Sequence, residues 1–279
     1  MVALLVVLGS FAPGIHERAC GAEADRTNPE DGAVVDGVYS NDYFALRYPL
    51  PKGWKQGPRL ARPSYEGYYV LGTPTPPERV RAALLIAAED VFFAAHQFGN
   101  ANEYAKELRQ SAPGSGGPGS EPTEVTIAGH RFVRVKLDGS PLSRVVLAAD
   151  IRCHVVIFAL TGTQTEPLEA LERSLEQLSF ATDERTEVCV RGYATASTLL
   201  RRVDPVAVGP RFLKISVRII IGTDGRIRHT HVIRAFPEQR RSIEDALAQW
   251  EFKPYRVDGD LAEVETGLVF EFKPAPAGN

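Results

Sequence analysis

One stretch limits the fold more than any other: after Leu213 the chain alternates, with Ile215, Val217, Ile219 and Ile221 on one side and Lys214, Ser216 and Arg218 on the other. A period of two sends successive side chains to opposite faces of a strand, whereas a helix would spread these β-branched residues around its circumference. The reading is a half-buried strand, with one face in a core and the other in water. Gly222-Thr223-Asp224-Gly225 supplies the positive-φ positions of a tight reversal, so residues 226–234 return as the antiparallel partner. Within that partner the apolar phase passes from odd at Ile227 to even at Val232, which implies a β-bulge. Ile243, Ala246, Leu247 and Trp250 then recur at helical spacing, leaving Arg241, Glu244, Asp245 and Gln249 for solvent. Pro254 stops the helix, and a turn at Asp258-Gly259 leads to a closing strand in which Val264, Thr266, Leu268, Phe270 and Phe272 alternate with Glu265, Gly267, Val269 and Glu271. Residues 209–274 are therefore expected to form a small ββαβ domain.

The 279 residues exceed what one such unit organises, and 44% hydrophobic with 24% charged residues suffices for ordinary cores. Residues 37–181 carry a second α+β pattern. Phe44, Leu46 and Tyr48 alternate before a break at 49–53, and 82–88 is an apolar run of strand length. A short helix is expected over 102–109. Residues 111–122 are almost wholly Gly, Ser and Pro, cannot bury a face, and are expected to form a flexible loop inside the domain. Three β-prone runs follow, at 131–137, 143–149 and 154–160, with turns between them that favour an antiparallel meander. Leu168, Leu171, Leu175 and Leu178 stand at helical spacing behind Pro167, so a helix should cover the sheet. Residues 182–208 lack apolar periodicity and are assigned to a linker.

Residues 2–12 form an apolar run, shorter than the roughly 20 residues that span a bilayer but suited to the core of a signal peptide. With small residues at Ala22-Glu23-Ala24, residues 1–24 are assigned to that signal and 25–36 to a polar lead-in, which makes the mature chain periplasmic or secreted, without a membrane span. An uncleaved signal would instead anchor it. Once Cys20 has left with the signal, Cys153 and Cys189 remain as an even pair in an oxidising compartment. They are either bridged across the domain junction or buried as two separate thiols.

Two resemblances add to this reading. Tyr43-Phe44-Ala45-Leu46-Arg47-Tyr48-Pro49 leading to Gly53-Trp54, the entry Ile127-Ala128-Gly129-His130-Arg131-Phe132, and the leucine-spaced final helix resemble the PsbP-like α/β/α sandwich family. That resemblance implies an accessory or assembly role and no reaction. In the second unit, Ala246, Trp250, Phe252 and Pro254 at the helix end, then Gly259, then Val264, Glu265, Thr266, Phe270 and Phe272 resemble the TonB C-terminal domain. The full transducers of that family add a membrane helix and a Pro-rich spacer, whereas here a folded domain stands where the spacer would be. The resemblance implies that an extended segment of a partner, an outer-membrane or periplasmic protein, pairs with the closing strand through backbone groups. The contact residues would be Val264, Glu265, Thr266 and Gly267, continuing through Leu268, Val269 and Phe270.

The sequence offers little chemistry beyond this. A formal charge of −3 provides no basic face for nucleic acid. His229 and His231 are two apart on a strand, a spacing some metal sites use, but no acid or thiol is spaced to complete them, and surface histidines are the expectation. His96, His130 and His154 are read as structural. No nucleophile elbow, zincin motif or dinucleotide fingerprint is present, so the expected function is non-catalytic, with no cofactor and no metal. The competing reading is a periplasmic small-ligand-binding or assembly factor acting through the first domain, and an apolar cavity within 37–181 would favour it.

Overall fold

The computed structural model describes residues 27–58, 62–94, 98–111, 119–181, 187–206 and 213–272. The apolar run at the N-terminus and most of the Gly-rich loop therefore lie outside the described residues. Among those described, no helix is long and apolar enough to cross a membrane.

The first unit runs β1 (Ala33–Val35), β2 (Val38–Asn41), β3 (Leu46–Pro49), β4 (Tyr68–Gly72), β5 (Ala82–Asp90), α1 (Ala101–Ser111), β6 (Thr123–Ile127), β7 (His130–Leu137), β8 (Ser143–Ile151), β9 (His154–Gly162), α2 (Thr165–Ser174) and β10 (Ser179–Phe180). Six strands form an antiparallel sheet in the order β4-β5-β9-β8-β7-β6, and β1-β2-β3-β10 form a smaller one. The expected meander is the run β7-β8-β9 at the centre. Of its strands, β8 and β9 are buried on both sides, which is why 154–160 reads as continuous apolar sequence rather than alternation. One face of the large sheet takes α1, whose Ala101 and Ala105 pack with Phe98, Val133, Val146 and Ile157. Asn100 caps that helix by accepting the Glu103 N–H at 2.9 Å, and Asp150 on β8 accepts the Ala101 N–H at 2.7 Å, fixing the helix to the sheet. The other face takes the small sheet and α2, with Leu168, Leu171, Leu175 and Leu178 all buried as their spacing requires. A bidentate Arg134–Glu172 pair, at 2.5 and 3.1 Å, ties α2 to β7.

The second unit runs β11 (Val188–Cys189), β12 (Leu199–Arg201), β13 (Lys214–Ile221), β14 (Ile227–Val232), α3 (Pro237–Leu247), β15 (Glu251–Phe252), β16 (Tyr255–Val257), β17 (Asp260–Ala262) and β18 (Val264–Glu271). Its main sheet has the order β11-β18-β13-β14, so the ββαβ order is present with β13 at the centre. The bulge lies where expected: Ile220 pairs with His229 and Ile221 with Ile227, which leaves Arg228 as the extra residue. Gly225 ends the hairpin at φ 78°, where a Cβ would stand 2.1 Å from the Phe252 carbonyl oxygen, so only glycine fits there. Pro237 opens α3, and Ile243, Leu247 and Trp250 share one core with Ile215, Val217, Ile219, Val264 and Phe270, while Ala246 is buried on the same helix.

Four sequence expectations need correction. Residues 182–208 are more than a linker, since β11 and β12 lie within them and Tyr193 is buried in the second core. The lead-in 25–36 contains β1. The strand run at Phe44 starts later, at Leu46, with Tyr43 and Phe44 in the preceding turn. At the end of the Gly-rich loop, Ser120 exchanges hydrogen bonds with Lys136, its N–H donating to the carbonyl at 2.7 Å and its Oγ accepting the Lys136 N–H at 2.8 Å. That end is attached to β7 rather than free.

Candidate functional site

The closing strand β18 has two faces and two edges, and each does something different. Its even residues Val264, Thr266 and Phe270 are buried towards α3, where Leu268 packs against the same core. Its odd residues point the other way, and there the expectation of a solvent face fails. Ser216, Arg218 and Ile220 on β13 and Glu265 on β18 are buried against the first unit, with Arg218 only 2% exposed. Gly267 lies opposite Arg218 in the register, and a Cβ there would come within 2.6 Å of Phe92 Cβ and 2.7 Å of Phe93 Cζ. The absent side chain is what lets the loop after β5 close on the sheet.

At the centre of that contact the Arg218 guanidinium is bonded on every nitrogen. Nη1 donates to Asp90 Oδ2 at 2.5 Å and to His154 Nε2 at 3.0 Å, Nη2 to Glu265 Oε1 at 2.5 Å and Tyr43 Oη at 3.2 Å, and Nε to Glu265 Oε1 at 3.2 Å. The Phe92 ring lies 5.2 Å from its carbon. The tautomer of His154 follows from its partners. Nδ1 sits 2.7 Å from the Arg152 carbonyl, which can only accept, so Nδ1 carries the proton and Nε2 is left to accept from arginine. Burial, then the positive charge of Arg218, hold the His154 pKa well below the usual histidine range, so the ring is neutral. Complete burial raises the Asp90 carboxyl above its ordinary value, with Arg218 the main opposing influence. Burial alone would lower Arg218, but the carboxylates of Asp90 and Glu265 outweigh it and hold the guanidinium well above its ordinary value.

Chemically this is a closed knot. The adjoining cavity, bordered by Tyr43, Arg218, His229, His231 and Glu265, measures about 10 Å³, the space of a single water. His231 is not a surface residue as expected: it is 5% exposed, with Nε2 3.3 Å from Glu30 Oε1. Among the described residues, no group of three or more His, Cys, Asp and Glu side chains is placed to hold a metal ion. A larger groove of about 340 Å³ lies in the second unit, between α3 and residues 203–206, and its lining is mixed and charged, including Asp204, Glu238, Arg241 and Asp245.

The edges of β18 are asymmetric as well. One is filled by β13 along its whole length. On the other, Val188 and Val190 donate their N–H groups to the carbonyls of Glu263 and Glu265, at 2.9 and 3.0 Å, in a parallel pairing. This corrects the expected contact surface: at Val264 and Glu265 the edge is already occupied by the chain itself. Because odd carbonyls face β11, backbone alternation turns the polar groups of Gly267, Val269 and Glu271 to the same side. Among the described residues no strand pairs with β18 there, and the Val269 side chain is 52% exposed. Of the seven residues expected to meet a partner, Gly267, Leu268, Val269 and Phe270 thus remain beside an open edge.

Cys153 and Cys189 are joined, with Cα atoms 5.6 Å apart. Cys153 occupies the tip of the β8–β9 hairpin, where Arg152 and Cys153 both have positive φ, so the bond fastens β11 to the first unit. The knot itself was missed in the sequence. Its one signal is an arginine in the middle of an apolar strand, Ser216-Val217-Arg218-Ile219-Ile220, which alternation alone assigns to water.

No family description and no curated protein matches this chain. Among solved structures it is similar to the solution structure of cyanobacterial PsbP (CyanoP) from Synechocystis, at 10% identity over 53% of this chain and 95% of that one, with a TM-score of 0.37.

Proposed function

We propose that this chain is a non-catalytic exported protein whose second unit, with its TonB C-terminal-like residues, binds an extended segment of an outer-membrane or periplasmic protein by strand addition to β18. The observation that carries the reading is the stretch of edge at Gly267, Val269 and Glu271 with which no strand pairs among the described residues, on a strand whose other edge and inner face are engaged. Such an edge supplies affinity through main-chain hydrogen bonds and specificity through alternate side chains. The arginine knot is consistent with the non-catalytic part, since its donors are spent inside the protein.

Val269→Pro tests this. It removes an N–H on the open side while leaving the ladder to β13 intact, a substitution that sheet edges tolerate. With the full chain as bait in a periplasmic extract, a protein retained by wild type and by Val269→Thr should be lost from Val269→Pro, whose circular dichroism stays native. Equal retention by all three would rule out this edge.

A further inference from the structure

The two residues of β11 already do to β18 what a partner would do: they lie along its edge and bond to it through the backbone. We infer that β11 is an internal occupant of the docking edge and that the Cys153–Cys189 disulfide keeps it there, so reduction extends the open edge back to Glu263. This rests on the strand-addition reading and adds its control.

Three observations carry it. The pairing is short, Val188 with Val264 and Cys189 with Glu265, and of residues 187–190 Val190 is the one packed against the second core, where it is only half-buried. Beyond β11 the chain is anchored by Arg191, whose guanidinium donates to the Phe98 carbonyl, and by Tyr193, whose N–H donates to Thr266 Oγ1 at 3.3 Å and whose hydroxyl donates to the Lys253 carbonyl at 2.5 Å, so release of β11 stops there and the segment stays tethered. The disulfide is also reachable from one side: Cys189 is exposed, whereas Cys153 is 7% exposed.

The exchange is balanced by a dithiol reductant. Its thiolate attacks Cys189 Sγ, the bond to Cys153 breaks, and Cys153 Sγ leaves with the electron pair and takes up a proton. The second thiol of the reductant then resolves the mixed disulfide, leaving two cysteine thiols and one oxidised reductant. Glu265 Oε2, 3.2 Å from Cys153 Sγ, is placed to accept the new S–H. One end of β11 is thereby freed while the knot that holds Glu265 is kept.

The test uses the full chain, oxidised, reduced by dithiothreitol and reoxidised, alongside Cys189→Ser. Amide exchange of Val188 and Val190 should rise about ten-fold or more on reduction and in the variant, reverse on reoxidation, and leave the β13 amides unchanged. A labelled peptide of residues 187–191 carrying Cys189→Ser is the docking probe, and it should bind the reduced chain about five-fold or more tighter than the oxidised one. Unchanged exchange at Val188 and Val190 overturns the gate whatever the peptide does. Increased exchange with equal binding to both states also overturns it. Increased exchange with no binding to either state shows that the strap opens but that strand addition is not its purpose. Because the same wild-type sample is cycled, a folding defect in the variant cannot decide the outcome.

Discussion

Arg218 concentrates the energetics of the contact between the halves. With Asp90 and Glu265 buried beside it, removing the guanidinium leaves two carboxylates without their counter-charge in a site that admits about one water. Arg218→Met should therefore cost about 3–5 kcal/mol, read as a shift of the denaturant midpoint. A shift within experimental error would mean that the carboxylates find other partners. His154 gives a second reading of the same cluster. Its folded pKa is depressed from 6.5, so between that value and the lower folded one the unfolded chain binds the extra proton. Stability contributed by the neutral ring is then complete above pH 6.5 and is lost as pH falls below it, at about 1.4 kcal/mol per unit. Thermal melts from pH 7.5 to 5.5 should show a steeper acid decline for wild type than for His154→Gln, and equal slopes would remove His154 as the source. None of this was legible beforehand. Asp90, His154 and Arg218 are 64 or more residues apart in their closest pairing across the two halves, and periodicity carries no information about which faces will meet.

At the scale of elements, what was legible followed from repetition. The β13 alternation, the leucine spacing around α2, the stripe on α3 and the bulge in β14 each repeat or break a period over several residues. Elements that lack a period were missed. β11 is two residues long and is held by a disulfide and a borrowed ladder, and β12 is three residues long, paired with β15, with Leu199 packed against the core, so neither is long enough to show an alternating apolar face. Where a period did predict packing, it can be tested by truncation. Trp250 is 6% exposed, contacts Phe252 and Phe270, and donates its Nε1 proton to the Val203 carbonyl at 2.7 Å, which also binds the 187–206 segment to α3. Trp250→Ala should lower stability by about 3–5 kcal/mol in chemical denaturation, from the cavity and the orphaned carbonyl together. A loss below about 1 kcal/mol would show that the indole contributes little to the core, as expected of exposed substitutions.

For the molecule as a whole, the sequence suggested two domains on a linker, and the structure gives a four-strand sheet used on both faces. One face carries α3, and the other carries Ser216, Arg218, Ile220 and Gly267 against the first unit. Ser216 Oγ donates to the Tyr65 carbonyl at 2.8 Å, Arg234 stands 4.6 Å over the Tyr65 ring, and Ile233 belongs to the first unit's own core. The disulfide crosses the same boundary. A surface that buries an arginine, an isoleucine and a glycine-fitted pair of phenylalanines cannot be exposed without leaving charges unpaired and apolar area wet, so the second unit depends on the first. Calorimetry of the full chain should accordingly show one transition, with calorimetric and van't Hoff enthalpies in agreement. Arg218→Met should split or broaden it. The second unit expressed alone should melt lower and self-associate through its uncovered face. Two separate transitions in the wild type would show that the interface couples nothing. In that case an isolated second unit would be a fair bait for partners, whereas a single transition requires that docking at β18 be measured on the whole chain.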